Sequence, residues 1–120
     1  MPTSPAFVDH CLELLGSFGA ATRKRMFGGH ALYVDDLVVA LILGETLYMK
    51  ADAETSSRFE AAGCKPFQYA RRDKEVIITS YWSAPDEALE SPAQLAPWLR
   101  LAQAASLRSR SKAAPKRRPR

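Results

Sequence analysis

The sequence predicts an α+β fold: a two-layer sandwich in which an antiparallel sheet of about five to six strands carries helices on one face. Three observations predict it. Apolar residues make up 47% of the 120 residues, enough for a single core. The segments between candidate strands are too short for the crossovers that parallel neighbours need, so consecutive strands pair antiparallel. Helical apolar spacing appears before and after the strand-rich middle, and a segment between a capping Asp52 and a terminating Gly63 interrupts it, which gives the order α-β-β-β-β-α-β-β-α.

The first helix opens on Ser4-Pro5, a hydroxyl N-cap followed by proline at the first helical position. Phe7, Val8, Cys11, Leu12, Leu15 and Phe18 then form one apolar stripe. Gly16 or Gly19 is expected to end the helix in a left-handed conformation. Residues 22–27 form the first strand, stopped by Gly28-Gly29, and residues 30–34 the second. Asp35-Asp36 turns the chain into the continuous apolar run Leu37 to Leu43, the pattern of a central strand. Leu41 in that run is expected to be core, with Leu41→Ala costing roughly 2–5 kcal/mol. Gly44-Glu45 suits a two-residue hairpin turn into residues 46–50.

Asp52 is the expected cap of a second helix over residues 53–62, with Gly63 as its stop. Two more strands follow, residues 66–71 and 75–82, joined near Arg72-Asp73-Lys74. Pro66 at a strand's first residue is tolerated. Leu95, Trp98, Leu99 and Ala102 recur at helical spacing after Ser91-Pro92. Pro97 lacks the amide hydrogen that a helix interior needs, so the last helix is expected to kink there or to begin there.

Charge divides the chain in two. The net charge is +4, yet seven of the basic residues, Arg108, Arg110, Lys112, Lys116, Arg117, Arg118 and Arg120, lie after Leu107 with no acid among them. Residues 1–107 hold 10 basic and 13 acidic residues and are mildly acidic. The expectation is a folded domain over 1–107 and a basic disordered tail over 108–120, with those seven cations as the candidate nucleic-acid-binding set.

Other chemistry is sparse. Cys11 and Cys64 lie in apolar surroundings, belong to no CxxC pair, and are read as buried hydrophobes. His10 and His30 stand 20 residues apart, and no His/Cys/Asp/Glu spacing fits a metal site, so neither a metal nor a cofactor is expected. Gly28-Gly29 is too short for a phosphate loop and precedes a strand. Tyr69 and Arg71-Arg72 with Tyr81-Trp82 offer rings and cations for base stacking, although Tyr81 and Trp82 must face opposite ways. The longest apolar run is far below the ~20 residues that cross a bilayer, and the N-terminus lacks the marks of a secretory signal, which points to the cytoplasm and no membrane partner.

The string Arg25-Met26-Phe27-Gly28-Gly29-His30, followed by Leu47-Tyr48-Met49-Lys50, then Phe59, Gly63, Pro66-Phe67, Tyr69 and Ser80-Tyr81-Trp82, resembles the N-terminal domain of the TfoX/Sxy family of bacterial competence regulators. The resemblance covers most of residues 5–105. It implies an α+β fold like that of type III secretion chaperones, no known enzymatic activity and no catalytic residues. Full-length members carry a second, helical domain and act with a transcription regulator of the cyclic-AMP receptor class; here the basic segment follows Leu107 instead. Met26, Phe27, Gly28, Gly29, Phe59, Gly63, Pro66, Phe67 and Tyr69 are read as structural, with Phe27 in the core beside Phe7 or Trp98.

The functional expectation is a non-enzymatic regulatory module. It works through a protein partner, such as a transcription regulator, with tail-assisted nucleic-acid binding. The alternative is a small ligand-binding protein or enzyme using a cleft near His30.

Overall fold

The computed structural model describes residues 4–26 and 28–117, without the side chains of Met26, Tyr69, Ala70, Arg71 and residues 112–117. The elements are α1 (Pro5–Gly16), β1 (Ala21–Met26), β2 (Gly29–Val34), β3 (Leu37–Leu43), β4 (Thr46–Lys50), α2 (Ser56–Ala61), β5 (Pro66–Arg71), β6 (Lys74–Ser83), a 3-10 turn at Asp86–Leu89, and α3 (Pro92–Arg117). The sheet order is β1-β2-β3-β4-β6-β5, with every neighbouring pair antiparallel. This is the α+β fold that the sequence predicts, in the predicted order of elements.

Hairpin turns set that order. Asp35 and Asp36 have φ of 52° and 67°, and Arg72 and Asp73 have 49° and 67°. Positive φ at both central residues is the mark of a type I′ turn, whose twist matches the strands it joins. Aspartate enters the left-handed region more readily than most residues. Asp35 also accepts a hydrogen bond from the Ala20 amide at 2.9 Å, tying the β2–β3 turn to the start of β1.

Strand alternation sends one row of side chains under the helices. Across the sheet, Leu32 pairs with Ala40, Ala40 with Met49, and Met49 with Trp82. All four are buried. Ile42, opposite both His30 and Leu47, extends the core one step along β3. Val8, Cys11, Leu14 and Leu15 of α1, Phe59 of α2, and Leu95, Leu99 and Ala102 of α3 close over these rows in one cluster. The Phe59 and Trp98 rings meet at 5.1 Å, and the Trp82 indole N–H donates to the Thr79 carbonyl oxygen at 3.0 Å.

Several expectations need correction. Ser4 caps α1 as expected, its hydroxyl accepting from the Phe7 amide at 3.1 Å, but Gly16 lies inside the helix. Ser17, in right-handed conformation, makes the C-cap. Residues 53–55 are not helical: Asp52 accepts from the amides of Glu54 and Thr55, a local turn that delays α2 to Ser56. The last helix neither begins at Pro97 nor ends at Leu107. It starts at Pro92, with the Ser91 hydroxyl accepting from the Gln94 amide at 3.2 Å, and continues through Pro97. The single backbone hydrogen bond lost at Pro97 is offset by burial of Leu95, Leu99, Ala102 and Ala105. Residues 108–117 continue α3 as helical backbone.

Candidate functional site

Two surfaces hold the chemistry that the core leaves over. The first is the C-terminal half of α3. Arg108 does not project as a free cation: its Nε donates to Asp52 Oδ2 at 2.7 Å and its Nη2 to Asp52 Oδ1 at 3.0 Å. Glu54 adds a carboxylate oxygen 3.4 Å from Nε. This two-pronged pair clips α3 to the β4–α2 connection, in the geometry to which guanidinium is suited. Arg110 Nη2 donates to the backbone oxygen of Asp36 at 3.3 Å, so α3 also reaches the β2–β3 turn. Two of the seven candidate nucleic-acid contacts therefore bind the fold itself. Arg118 and Arg120 lie outside the described residues, as do the side chains of Lys112, Lys116 and Arg117.

Hydrogen bonding from Arg108 holds the Asp52 carboxyl below its ordinary pKa, against an opposing push from burial. A carboxyl whose folded pKa is depressed contributes stability that is present above the unfolded value and lost as pH falls through the folded one. Asp52→Asn is therefore expected to be less stable than the parent at pH 7. The gap should narrow as pH falls below the ordinary carboxylate range. Urea titrations of both proteins from pH 7 downward check this, and a pH-independent gap would count against the pair.

A cleft of about 300 Å³ opens beside this pair, lined among others by Lys50, Asp52, Ser56, Thr79, Arg108 and Ser109. His30 is not among its lining residues. His30 instead has Arg23 Nη1 3.5 Å from its Nδ1, and its pKa is lowered by burial and by the charges of Arg23 and Arg25. His10 Nε2 lies 2.7 Å from the Leu89 carbonyl oxygen and ties α1 to the 3-10 turn. Burial, with Glu45 adding to it, pushes the Cys11 thiol up to about 12, and burial also raises Cys64. Neither forms a thiolate at neutral pH. Among the described residues no group of three or more His, Cys, Asp or Glu could hold a metal ion.

The second surface is the sheet face turned away from the helices. Register places Lys24 opposite Ala31, Ala31 opposite Leu41, Leu41 opposite Tyr48, and Tyr48 opposite Ser83, a row across five strands. A parallel row runs through Thr22, Tyr33 and Val38 on β1–β3 and Lys50 with Tyr81 on β4 and β6. Tyr48 meets Phe67 edge to face at 5.1 Å, and the Lys50 ammonium sits over the Tyr81 ring at 5.0 Å. Burial lowers the Lys50 pKa against the pull of Asp52; burial raises the Tyr81 phenol, with Tyr33 adding to it. Tyr33, Tyr48, Tyr81, Phe67 and Leu41 are all half-buried. Of the rings that the sequence offers for stacking, Trp82 belongs to the core; Tyr33 and Tyr48, which the sequence does not point to, join Tyr81 on this face. The signal that could have found them is parity: Tyr33, Leu41, Tyr48 and Tyr81 stand one residue out of step with Leu32, Ala40, Met49 and Trp82.

The Gly28-Gly29 motif is explained locally. Gly28 has φ of 77°, and a Cβ on Gly29 would run into the Ile42 carbonyl oxygen and the Leu43 side chain. Phe59 is fully buried, Gly63 has φ of 87°, and Pro66 begins β5. Phe67 lies on the open face. Phe27 lies outside the described residues, as do the side chains of Met26 and Tyr69.

The model of the TfoX N-terminal domain matches residues 13–106, which run from α1 into α3 and take in both faces of the sheet. The chain belongs to the TfoX N-terminal domain family. A similar curated protein is the DNA transformation protein TfoX1 of Aliivibrio fischeri (strain ATCC 700601 / ES114), 28% identical over 87 residues. That match covers 72% of this chain and 41% of the relative, so the chain spans less than half of that TfoX protein's length. The basic residues from Arg108 onward lie beyond the stretch that the TfoX model matches. No helix among the described residues is long and apolar enough to cross a membrane.

Proposed function

We propose that this TfoX-type domain is a non-enzymatic regulatory module in competence-type control. It acts through contact with a protein partner, such as a transcription regulator, while its basic C-terminal segment neutralises nucleic-acid phosphates. The observation that carries the reading is the family match over residues 13–106, together with a relative named for DNA transformation. The inert state of both thiols and the structural employment of His10 are consistent with work done by surfaces. The cytoplasm is the proposed compartment.

Arg108 and Arg110 already bond to Asp52 and Asp36, so the phosphate-binding set we propose is Lys112, Lys116, Arg117, Arg118 and Arg120. Binding by such a set is driven by counterion release, with log affinity falling against log salt at about −0.9 per phosphate neutralised. Fluorescence anisotropy of the full chain with a short duplex at low salt is expected to show binding with little sequence preference, steeply lost as salt rises. A variant with those five residues changed to glutamine is expected to lose it; equal duplex binding by both would remove the segment from the mechanism. For the regulatory part, transcript profiling of its own cells with and without the gene is expected to show altered expression of DNA-uptake genes. An unaltered transcript profile beside an altered metabolite profile would favour an enzyme instead.

The second reading, a small-ligand protein, is favoured by one observation. The hydroxyls of Ser56, Thr79 and Ser109 share a cleft with Lys50 and the Asp52–Arg108 pair. On that reading the ligand would take this cleft rather than a cleft near His30.

A further inference from the structure

We propose that the open face of the sheet is a stacking platform for single-stranded DNA, with Tyr33, Tyr48, Tyr81 and Phe67 receiving bases and Lys24 and Lys50 receiving phosphates. The rings stand on β2, β4, β6 and β5, so a strand laid across the sheet meets them in succession. With neighbouring strands ~4.8 Å apart, the steps between rings are one or two strand spacings. Stacking on aromatic rings is how proteins hold bases that are not paired, and it tolerates any sequence because every base has a π face.

Charge separates this occupant from others. The sequence has 13 acidic residues, and among the described residues none stands at a strand position of the open face; Glu75 of β6, opposite Ala70, alternates to the other side from Phe67. Three lysines do: Lys24 at its β1 edge, Lys50 at its centre, already over a ring, and Lys74 at the start of β6, on the face that Phe67 shares. A second copy of the chain would bring the same lysines to the interface with no carboxylate on the face to pair them. A polyanion pairs them directly. A duplex hides its bases within the stack and would leave the rings unused, so the strand is single. RNA recognition uses hydrogen-bonding groups aimed at the 2′-OH. Thr22, Thr46 and Ser83 put hydroxyls on this face, so DNA rests on another ground: the similar protein is named for DNA transformation, and tighter rU12 binding is the competing outcome of the test. The surface is distinct from the basic segment beyond Arg110, and the regulatory reading can stand without it.

The test is anisotropy with labelled dT12, rU12 and a duplex of equal length, using the full chain and single variants whose folding is checked by circular dichroism and melting. dT12 is expected to bind more tightly than the other two. Tyr48→Ala and Tyr81→Ala should each weaken dT12 binding roughly fivefold or more, with Tyr48→Phe and Tyr81→Phe close to the parent. Lys50→Gln should flatten the salt dependence by about 0.7 in log–log slope. The double variant Lys24→Gln/Lys50→Gln keeps the proposal falsifiable should an alanine variant unfold. Unchanged dT12 binding in the folded tyrosine or lysine variants would overturn it, as would tighter binding of rU12. A dimer in sedimentation that Tyr48→Ala dissolves would give the face to a second copy. Loss of duplex binding on removing the basic charges, with dT12 binding unaffected by Tyr81→Ala, would sink the platform and spare the regulatory reading.

Discussion

Ile42→Ala is expected to lower the free energy of unfolding by about 2–5 kcal/mol, the range for truncating a buried aliphatic side chain whose neighbours cannot close the gap. Ile42 is fully buried in the central strand and belongs to the cluster that Phe59, Leu95 and Leu99 complete. Its neighbour Leu41 is half-buried on the opposite face, beside Tyr48. Leu41→Ala is therefore expected to cost clearly less than Ile42→Ala, which corrects the expectation that made Leu41 the core residue. Urea or thermal melts of the pair read the difference directly. Equal losses at the two positions would mean that the sheet is covered on both faces.

Gly29→Ala is expected to destabilise by ~3 kcal/mol or more, at the upper end of the cost of overpacking. The added methyl would meet the Ile42 carbonyl oxygen, part of the backbone, which cannot step aside as a flexible side chain does. Gly28→Ala meets open space, and its cost comes from φ of 77° alone. Gly29→Ala is therefore expected to be the worse of the two, measured as a larger fall in melting temperature. The reverse ranking would mean that the bend, not the close approach, explains the motif.

The contrast at positions 41 and 42 marks where the sequence stops being legible. Alternating runs fix a strand's faces, but Leu37 to Leu43 is apolar throughout. Its parity therefore carries no signal, and the irregularity opposite Leu32 and Tyr33 shifts the phase further. The strands themselves were legible because short polar turns punctuate them, Asp35-Asp36 and Arg72-Asp73 most clearly. The extent of α3 was not legible. The loss of apolar residues after Leu107 resembles a domain end, while the helix is held from the side by Arg108 on Asp52 and Arg110 on Asp36, contacts 56 and 74 residues distant in sequence. The family motif was legible as a string, but the reason for Gly29 lies in a carbonyl on the neighbouring strand. For the open face, each tyrosine was visible and their assembly was not, because it depends on register across four strands.

The proposed division of the sheet gives one face to the core and leaves the other to bind. Titration of dT12 into the isotopically labelled full chain, followed by backbone and lysine-ammonium NMR, tests that most directly. The predicted result is a set of shifts centred on Lys24, Tyr33, Tyr48, Lys50 and Tyr81, with the α1 and α2 amides unmoved. Shifts confined to the helical layer or to residues beyond Arg110, with those five positions silent, would contradict it.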